Sequence, residues 1–124
     1  MIPERRAVKE ALLADKRRWG SSIRRCEAVA YVEHEHQKCS AGLHLNEVIF
    51  TREDIKHLTD GEKRYFWSEL NCSLMCEWSH MRFGHSKGYR KWFMERVSLI
   101  YGGIELANFI AGAPLKVRPR YDQG

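Results

Sequence analysis

The segment NCSLMCEWSHMRFGH, residues 71–85, concentrates side chains that bind transition metals. It carries Cys72 and Cys76, followed by His80 and His85. Thiolates and imidazoles are the usual ligands of protein-bound zinc, and an imidazole also serves as a general base near neutral pH. The segment therefore indicates either a metal-centred site or a turn-rich part of an ordinary core.

Spacing limits which of these residues can share one metal ion. Cys76 and His80 are four residues apart, so on one helix face they can bind the same ion. In a single strand, Cys72 and Cys76 would lie about 13 Å apart, which is too far for one zinc. Upstream, His36 and Cys39 have the two-residue gap of a zinc knuckle.

Two short strands and a helix are predicted to position these side chains. The segment LHLNEVIF, residues 43–50, alternates in polarity and ends in strand-favouring residues. The segment NCSLMC, residues 71–76, can form a second strand. The residues after it favour a helix that ends at Gly84.

Further helices are predicted on both sides of this unit. Thr51 with Asp54 forms a capping pattern, and Ser86 is a candidate N-cap. Residues 23–32 remain ambiguous between helix and strand. The predicted helices cover residues 4–19, 51–58, 87–101 and 104–112.

Residues 61–83 also have the periodicity of one continuous helix. In that alternative an apolar stripe packs in the core, and Cys72, Cys76 and His80 only flank it. A buried cysteine usually behaves as a small hydrophobic residue. The stripe would consist of Phe66, Leu70, Leu74, Trp78 and Met81.

The composition is that of one small globular domain. The chain has 124 residues, of which 44% are hydrophobic and 30% are charged. No apolar run approaches the roughly 18 residues of a membrane span, so no membrane contact is predicted. The charged N-terminus lacks the apolar core of an export signal. A cytoplasmic location and unpaired cysteines are therefore expected.

The formal net charge of +5 is concentrated near the N-terminus. Residues 1–25 contain eight basic and three acidic side chains. Concentrated positive charge favours contact with a polyanion, most commonly nucleic acid. The alternative is a solvated helix.

The order of these features resembles the HNH nuclease family, whose fold is a β-hairpin followed by a helix clamped on a metal ion. LHLNEVI, residues 43–49, is similar to the family's first block, and NCSLMCEWSHMRFGH is similar to its second. The chain looks most like the small phage-encoded HNH proteins. The resemblance covers residues 36–85.

The resemblance implies an α+β, mostly helical fold with a ββα-metal core that is stapled by zinc. That core would occupy residues 36–85 of a single domain, 1–124. A basic N-terminal helix (1–25) would precede it. C-terminal helices (87–112) and a basic tail (113–124) would follow it.

Two metal sites are implied by the resemblance. A structural Zn²⁺ would be held by His36, Cys39, Cys76 and His80. In this set His80 would replace a second late cysteine, because Ser79 stands where the family has one. The set is closed and tetrahedral, as structural zinc sites are.

The second implied site is a catalytic Mg²⁺ or Mn²⁺ between Asn46 and His85. Glu47 would act as the general base, His44 would lie nearby, and Asn71 would orient the hairpin. Asn46 and Glu47 stand where the family has an aspartate or histidine ligand and a histidine base. A glutamate, with an ordinary pKa near 4.3, is the weaker base. The resemblance therefore implies either an active endonuclease or a DNA-binding relative without catalysis.

DNA is the expected partner, and several basic residues are predicted to contact its phosphates. A second hypothesis is a zinc-stapled phage protein that binds and inhibits a host protein, in the host cytoplasm, without catalysis. The candidate phosphate contacts are Arg5, Arg6, Arg17, Arg18, Arg24, Arg25, Arg82, Lys87, Arg90 and Lys91.

Overall fold

The fold is mostly helical with a small antiparallel sheet, which confirms the predicted α+β class. The computed structural model describes residues 3–19, 26–31, 42–114 and 117. In this part of the chain, no helix is long and apolar enough to cross a bilayer. The elements are α1 (Pro3–Ala14), α2 (Lys16–Trp19), α3 (Ala28–Tyr31), β1 (Leu43–Glu47), α4 (Arg52–Ile55), α5 (Asp60–Lys63), a 3₁₀ turn (Arg64–Phe66), β2 (Cys72–Cys76), α6 (Glu77–Phe83), α7 (Lys87–Tyr101) and α8 (Gly103–Ala111).

The two strands pair antiparallel and are covered on both faces. Leu43 at the start of β1 lies opposite Cys76 at the end of β2. One face of the sheet packs with Leu12 of α1 and Trp19 of α2. The other face joins the larger core, which includes Phe93 of α7. Every residue of β2 is buried as a result.

The connection between the strands is closed by the buried side chain of Asn71. Its Oδ1 accepts a hydrogen bond from the backbone N–H of Phe50 at 2.8 Å. Its Nδ2 donates to the carbonyl oxygens of Phe50 and Phe66, each at 3.0 Å. The N–H of Val48 donates to the Asn71 carbonyl at 2.8 Å. A buried amide with its hydrogen bonds satisfied fixes the backbone on both sides of it.

A fully buried ion pair joins the N-terminal part of the chain to the sheet. The side chains of Arg18 and Glu27 have no exposed surface, and Arg18 Nε donates to Glu27 Oε2 at 2.9 Å. Arg18 also donates to the carbonyl oxygens of Glu69, at 2.8 Å, and Cys72, at 2.9 Å. From α7, Arg96 donates to Glu27 Oε2 at 3.2 Å. The network therefore links α2, the residues before α3, β2 and α7.

The local signals around the hairpin are confirmed. The second strand forms, and Cys76, its last residue, is also the N-cap of α6. Ser86 caps α7 through a hydrogen bond that its Oγ accepts from the N–H of Tyr89 at 3.1 Å. Thr51 and Asp54 form the expected capping box. These elements depend on residues close together in the chain.

Four predicted elements differ from the structure. The strand predicted over residues 43–50 ends at Glu47, and the helix predicted over residues 51–58 ends at Ile55. The alternative of a single helix over residues 61–83 is wrong, because α5 ends at Lys63 and the chain later pairs with β1. Pairing satisfies the backbone groups of β2 while burying its side chains. The helix predicted over residues 4–19 is divided at Asp15, whose Oδ1 accepts from the N–H of Arg17 at 3.0 Å.

Replacing Arg18 with methionine should destabilise the protein by about 3 kcal/mol, because it removes the partner of a buried carboxylate. Urea denaturation followed by circular dichroism measures this loss. Arg17→Met is the matched control, since Arg17 is the exposed neighbour, and it should move the midpoint far less. Equal losses in the two variants would contradict the role given to the ion pair.

Candidate functional site

Three histidines converge where β1 meets α6. The ring centroids of His44 on β1 and His80 on α6 are 5.7 Å apart. The centroids of His80 and His85, which follows α6, are 5.4 Å apart. His44 and His85 are exposed, and His80 is partly buried. These three residues are called the histidine cluster below.

The hairpin and the helix that follows it bring these rings together. Because Cys76 ends β2 opposite Leu43, the first turns of α6 lie beside the start of β1. His80 thereby reaches His44. A Cβ at Gly84 would lie only 2.7 Å from His80 Cδ2, so a glycine is needed at this close approach. His85 follows directly and completes the cluster.

The surroundings of His80 favour its neutral form. Burial lowers the pKa of His80 from its ordinary 6.5, and the charges of His85 and His44 lower it further. Arg52, at the start of α4, adds to this effect. A neutral imidazole at pH 7 has a free ring nitrogen that accepts a proton or binds a metal.

Asn46 contributes a buried oxygen without a partner beside this cluster. Its Nδ2 donates to the Gly84 carbonyl at 2.9 Å and lies 3.2 Å from the sulfur of Met75. Since a carbonyl only accepts, this contact identifies which end of the amide is nitrogen. Asn46 Oδ1 is buried and has no hydrogen-bond partner in the described part of the chain. A buried acceptor in this state is usually satisfied by water or an ion.

The donor set fits a divalent ion only if an amide oxygen takes part. Among the residues that the structure describes, no three His, Cys, Asp or Glu side chains are arranged to hold a metal. The predicted site at Asn46 and His85 uses one imidazole and one amide oxygen. The unsatisfied Oδ1 of Asn46 is consistent with that use. Water and phosphate oxygens would complete the coordination of Mg²⁺.

Glu47 lies away from the histidine cluster. Neighbouring residues of a strand point to opposite faces, so Glu47 and Asn46 face different sides of β1. Glu47 Oε1 lies 3.0 Å from Arg5 Nη2, and the carboxylate is almost fully buried. The structure therefore does not bring Glu47, the predicted base, together with His44 and His85.

The predicted zinc ligands are described only in part. His36 and Cys39 lie outside the described residues. Cys76 lies next to Cys26, whose sulfur accepts a hydrogen bond from the Cys76 N–H at 3.3 Å. The Oγ of Ser79 is 3.2 Å from the Cys76 sulfur and 3.8 Å from the Cys26 sulfur. Sequence spacing does not reveal Cys26, because it is distant from Cys76 along the chain.

The His80 ring belongs to the histidine cluster, and no described contact joins it to these sulfurs. Burial raises the pKa of the Cys26 thiol, with a smaller contribution from Cys76 in the same direction. Both sulfurs are buried, and the raised pKa of Cys26 favours its protonated form unless a metal replaces the proton.

The predicted phosphate-contacting residues have different environments. The prediction that Arg18 contacts a phosphate is wrong. Its side chain is buried in the ion pair with Glu27 and has no exposed surface. Arg90 is partly buried and donates to the Val48 carbonyl at 3.2 Å. Arg24 and Arg25 lie outside the described residues. The exposed members of the set are Arg6, Arg17, Arg82, Lys87 and Lys91.

Two of these exposed cations have partners of their own. Arg17 pairs with Asp15 at 2.9 Å. The guanidinium of Arg82 lies 4.6 Å from the ring centroid of Trp78. A guanidinium above an aromatic ring keeps its charge and its N–H groups available at the surface.

Comparison with protein-family models, curated proteins and solved structures gives no match to this chain. The α+β fold with an antiparallel hairpin and a following helix is the class that the structure defines. Membership of the HNH family stays a prediction from the sequence.

In protein without added divalent metal, the His80 pKa should lie below 6.5, and His85→Ala should raise it towards that value. The His80 imidazole binds a proton more readily in the unfolded chain than in the folded protein. Above pH 6.5 it is neutral in both states, so protonation does not reduce the free energy of unfolding. The free energy of unfolding decreases as the pH falls from 6.5 to the folded-state pKa. NMR titration of the imidazole resonances measures both values. His57→Ala, at an exposed histidine outside the cluster, should leave the His80 pKa unchanged; an unchanged value in His85→Ala would contradict the predicted coupling.

Proposed function

We propose that this protein is an HNH-like enzyme that hydrolyses phosphodiester bonds in DNA with a divalent metal ion. The observation that supports it most is the histidine cluster beside Asn46, at the junction of an antiparallel hairpin and the helix that follows. The sequence resemblance implies a hairpin and helix around one metal at this place. Asn71 supports the proposal because its buried hydrogen bonds fix the hairpin ends.

In this proposal His85 and Asn46 would hold Mg²⁺ or Mn²⁺. A bound divalent ion stabilises the negative charge that builds up on the phosphate and the leaving oxygen. Asn46 is held by its contact with the Gly84 carbonyl, immediately before His85. The two proposed ligands are thus positioned by one short piece of backbone.

His44, rather than Glu47, is the general base in this proposal. His44 is exposed on β1 and lies beside His80, which its surroundings keep neutral. A ring nitrogen of His44 would take the proton of the attacking water, because a histidine side chain is the most frequent general base in enzymes. Glu47 is engaged by Arg5 on the other side of the strand.

A structural zinc near Cys76 is a separate part of the proposal. Cys76 and the neighbouring Cys26 would supply sulfur ligands, and His36 and Cys39 remain ligands predicted from the sequence alone. Zinc would stabilise the deprotonated thiolates that burial otherwise disfavours. His80 is assigned to the histidine cluster instead.

A second candidate function is the binding of a host protein without catalysis. The observation in its favour is the set of large apolar side chains that remain exposed. Met81 on α6 is 81% exposed, Leu99 on α7 is 87% exposed, and Ile104 on α8 is 77% exposed. Exposed apolar residues of this kind occur at protein interfaces, although single ones are also ordinary on surfaces.

His44→Ala and His85→Ala should each reduce cleavage of plasmid DNA in Mg²⁺ or Mn²⁺ by about 100-fold or more, because each removes a group acting at the reacting phosphate. Conversion of supercoiled to nicked or linear DNA measures the rate. Both residues are exposed, so neither variant is expected to unfold. His57→Ala is the matched histidine control and should keep its activity.

Equal cleavage in all three variants would contradict the proposed site. If the wild-type protein binds DNA but does not cleave it with either metal, the proposed hydrolysis is refuted. The remaining function is then that of an HNH-like protein that binds DNA without catalysis. Neither binding nor cleavage would favour the host-protein function.

The purified protein should contain about one zinc per chain, as a closed four-ligand site requires. Cys76→Ala should lose this zinc, because it removes a proposed ligand. Cys72→Ala should retain the zinc. The Cys72 sulfur lies 3.6 Å from the Phe66 carbonyl oxygen, on the face of the sheet that packs with Leu12 of α1 and Trp19 of α2. Elemental analysis of each protein, with circular dichroism to verify folding, measures the outcome. A folded wild-type protein without zinc would refute the proposed structural zinc site.

A further inference from the structure

A cleft lies on the side of β1 opposite the histidine cluster, between α1, α4 and α5. Its volume is about 380 Å³. It is lined by four basic side chains and two acidic ones, which come from distant parts of the sequence. These are Arg5, Arg52, Lys56, Lys63, Glu47 and Asp60.

The charges in this cleft are unbalanced in favour of an anion. Glu47 is neutralised by Arg5, at 3.0 Å, and is almost fully buried. Lys56 is paired with the exposed Glu53. Arg52 and Lys63 form no ion pair with any described residue. Two cations without an ion-pair partner among the described residues, Arg52 and Lys63, therefore line the cleft beside one acidic side chain, Asp60, so positive charge is in excess.

Arg5 is held at the cleft by two contacts to β1. Its Nη2 donates to the Leu45 carbonyl at 3.2 Å in addition to its contact with Glu47. Its Nε is buried and has no acceptor within the described chain. A buried guanidinium N–H without an acceptor is a donor whose hydrogen bond is unmet.

Arg52 connects the cleft to the histidine cluster. It lines the cleft at the start of α4, and its charge also acts on the His80 ring. A chain of phosphates that passes Arg52 would therefore run from the cleft towards the histidines.

We infer that this cleft binds phosphate groups of the DNA strand whose cleavage is proposed at the histidine cluster, with Arg52 and Lys63 as the contacting cations. The inference rests on the proposed function for the identity of its ligand. Glu47 then has a positioning role, because it holds Arg5 at the cleft instead of acting as a base. Arg52 and Lys63 were not among the phosphate contacts predicted from the sequence.

Binding of a short DNA duplex, measured by fluorescence anisotropy over a range of salt concentrations, tests this inference. The buffer contains no Mg²⁺ or Mn²⁺, so that binding is separated from hydrolysis. Arg52→Ala and Lys63→Ala should each weaken binding and reduce the slope of log K against log salt by about 0.9, the value for one lost phosphate contact. The loss should be the same for unrelated DNA sequences.

Arg64→Ala is the matched control, because Arg64 is an exposed cation next to α5 that does not line the cleft. It should leave the slope near that of the wild-type protein. Arg52→Ala and Lys63→Ala slopes equal to the Arg64→Ala slope would overturn the inference. A deoxynucleoside monophosphate whose affinity falls in the two variants, while DNA affinity does not, would also overturn it in favour of a free nucleotide.

These results are distinguishable from failure of the proposed function. Weaker DNA binding in Arg52→Ala and Lys63→Ala, together with no cleavage by the wild-type protein, supports the cleft and refutes hydrolysis. Cleavage that depends on His44 and His85, together with unchanged DNA binding in the cleft variants, supports hydrolysis and refutes the cleft.

Discussion

The buried ion pair between Arg18 and Glu27 is the constraint on which the rest of the structure depends. Two charges without any exposed surface are tolerated only when each is paired and hydrogen-bonded. Arg18 meets this requirement through backbone carbonyls at and before β2, and Glu27 through Arg96 of α7. The N-terminal helices are thereby held against a sheet of only two strands, which would be marginal by itself.

The sheet in turn separates two kinds of chemistry by the alternation of side chains along β1. His44 and Asn46 face α6, where the His44 ring lies beside His80 and the Asn46 amide donates to the Gly84 carbonyl. Glu47 faces α1 and the basic cleft, where it pairs with Arg5. Adjacent residues of one strand therefore face different surroundings, with the histidine cluster on one side of β1 and the basic cleft on the other.

Interactions between residues close together in the sequence could be predicted, whereas interactions between distant segments could not. The capping box at Thr51 and the N-cap at Ser86 were predicted because they depend on residues three positions away. The role expected for Glu47 came from its position in the LHLNEVI block that resembles the HNH family, whereas its partner, Arg5, is set by the packing of α1. Arg18 has the same residue type as the exposed Arg17, and only burial distinguishes the two.

By itself, the sequence determined the residue types available for chemistry, the α+β class and the N-caps at Thr51 and Ser86. It left residues 72–76 open between a strand and part of a continuous helix, and pairing with β1 decided for the strand. Only the tertiary structure decided which of these residues meet: His44 with His80, and Cys26 with Cys76. The physical reason is that strand pairing and burial depend on contacts between segments far apart in the chain. The spacing of residues along a sequence carries no direct record of such contacts.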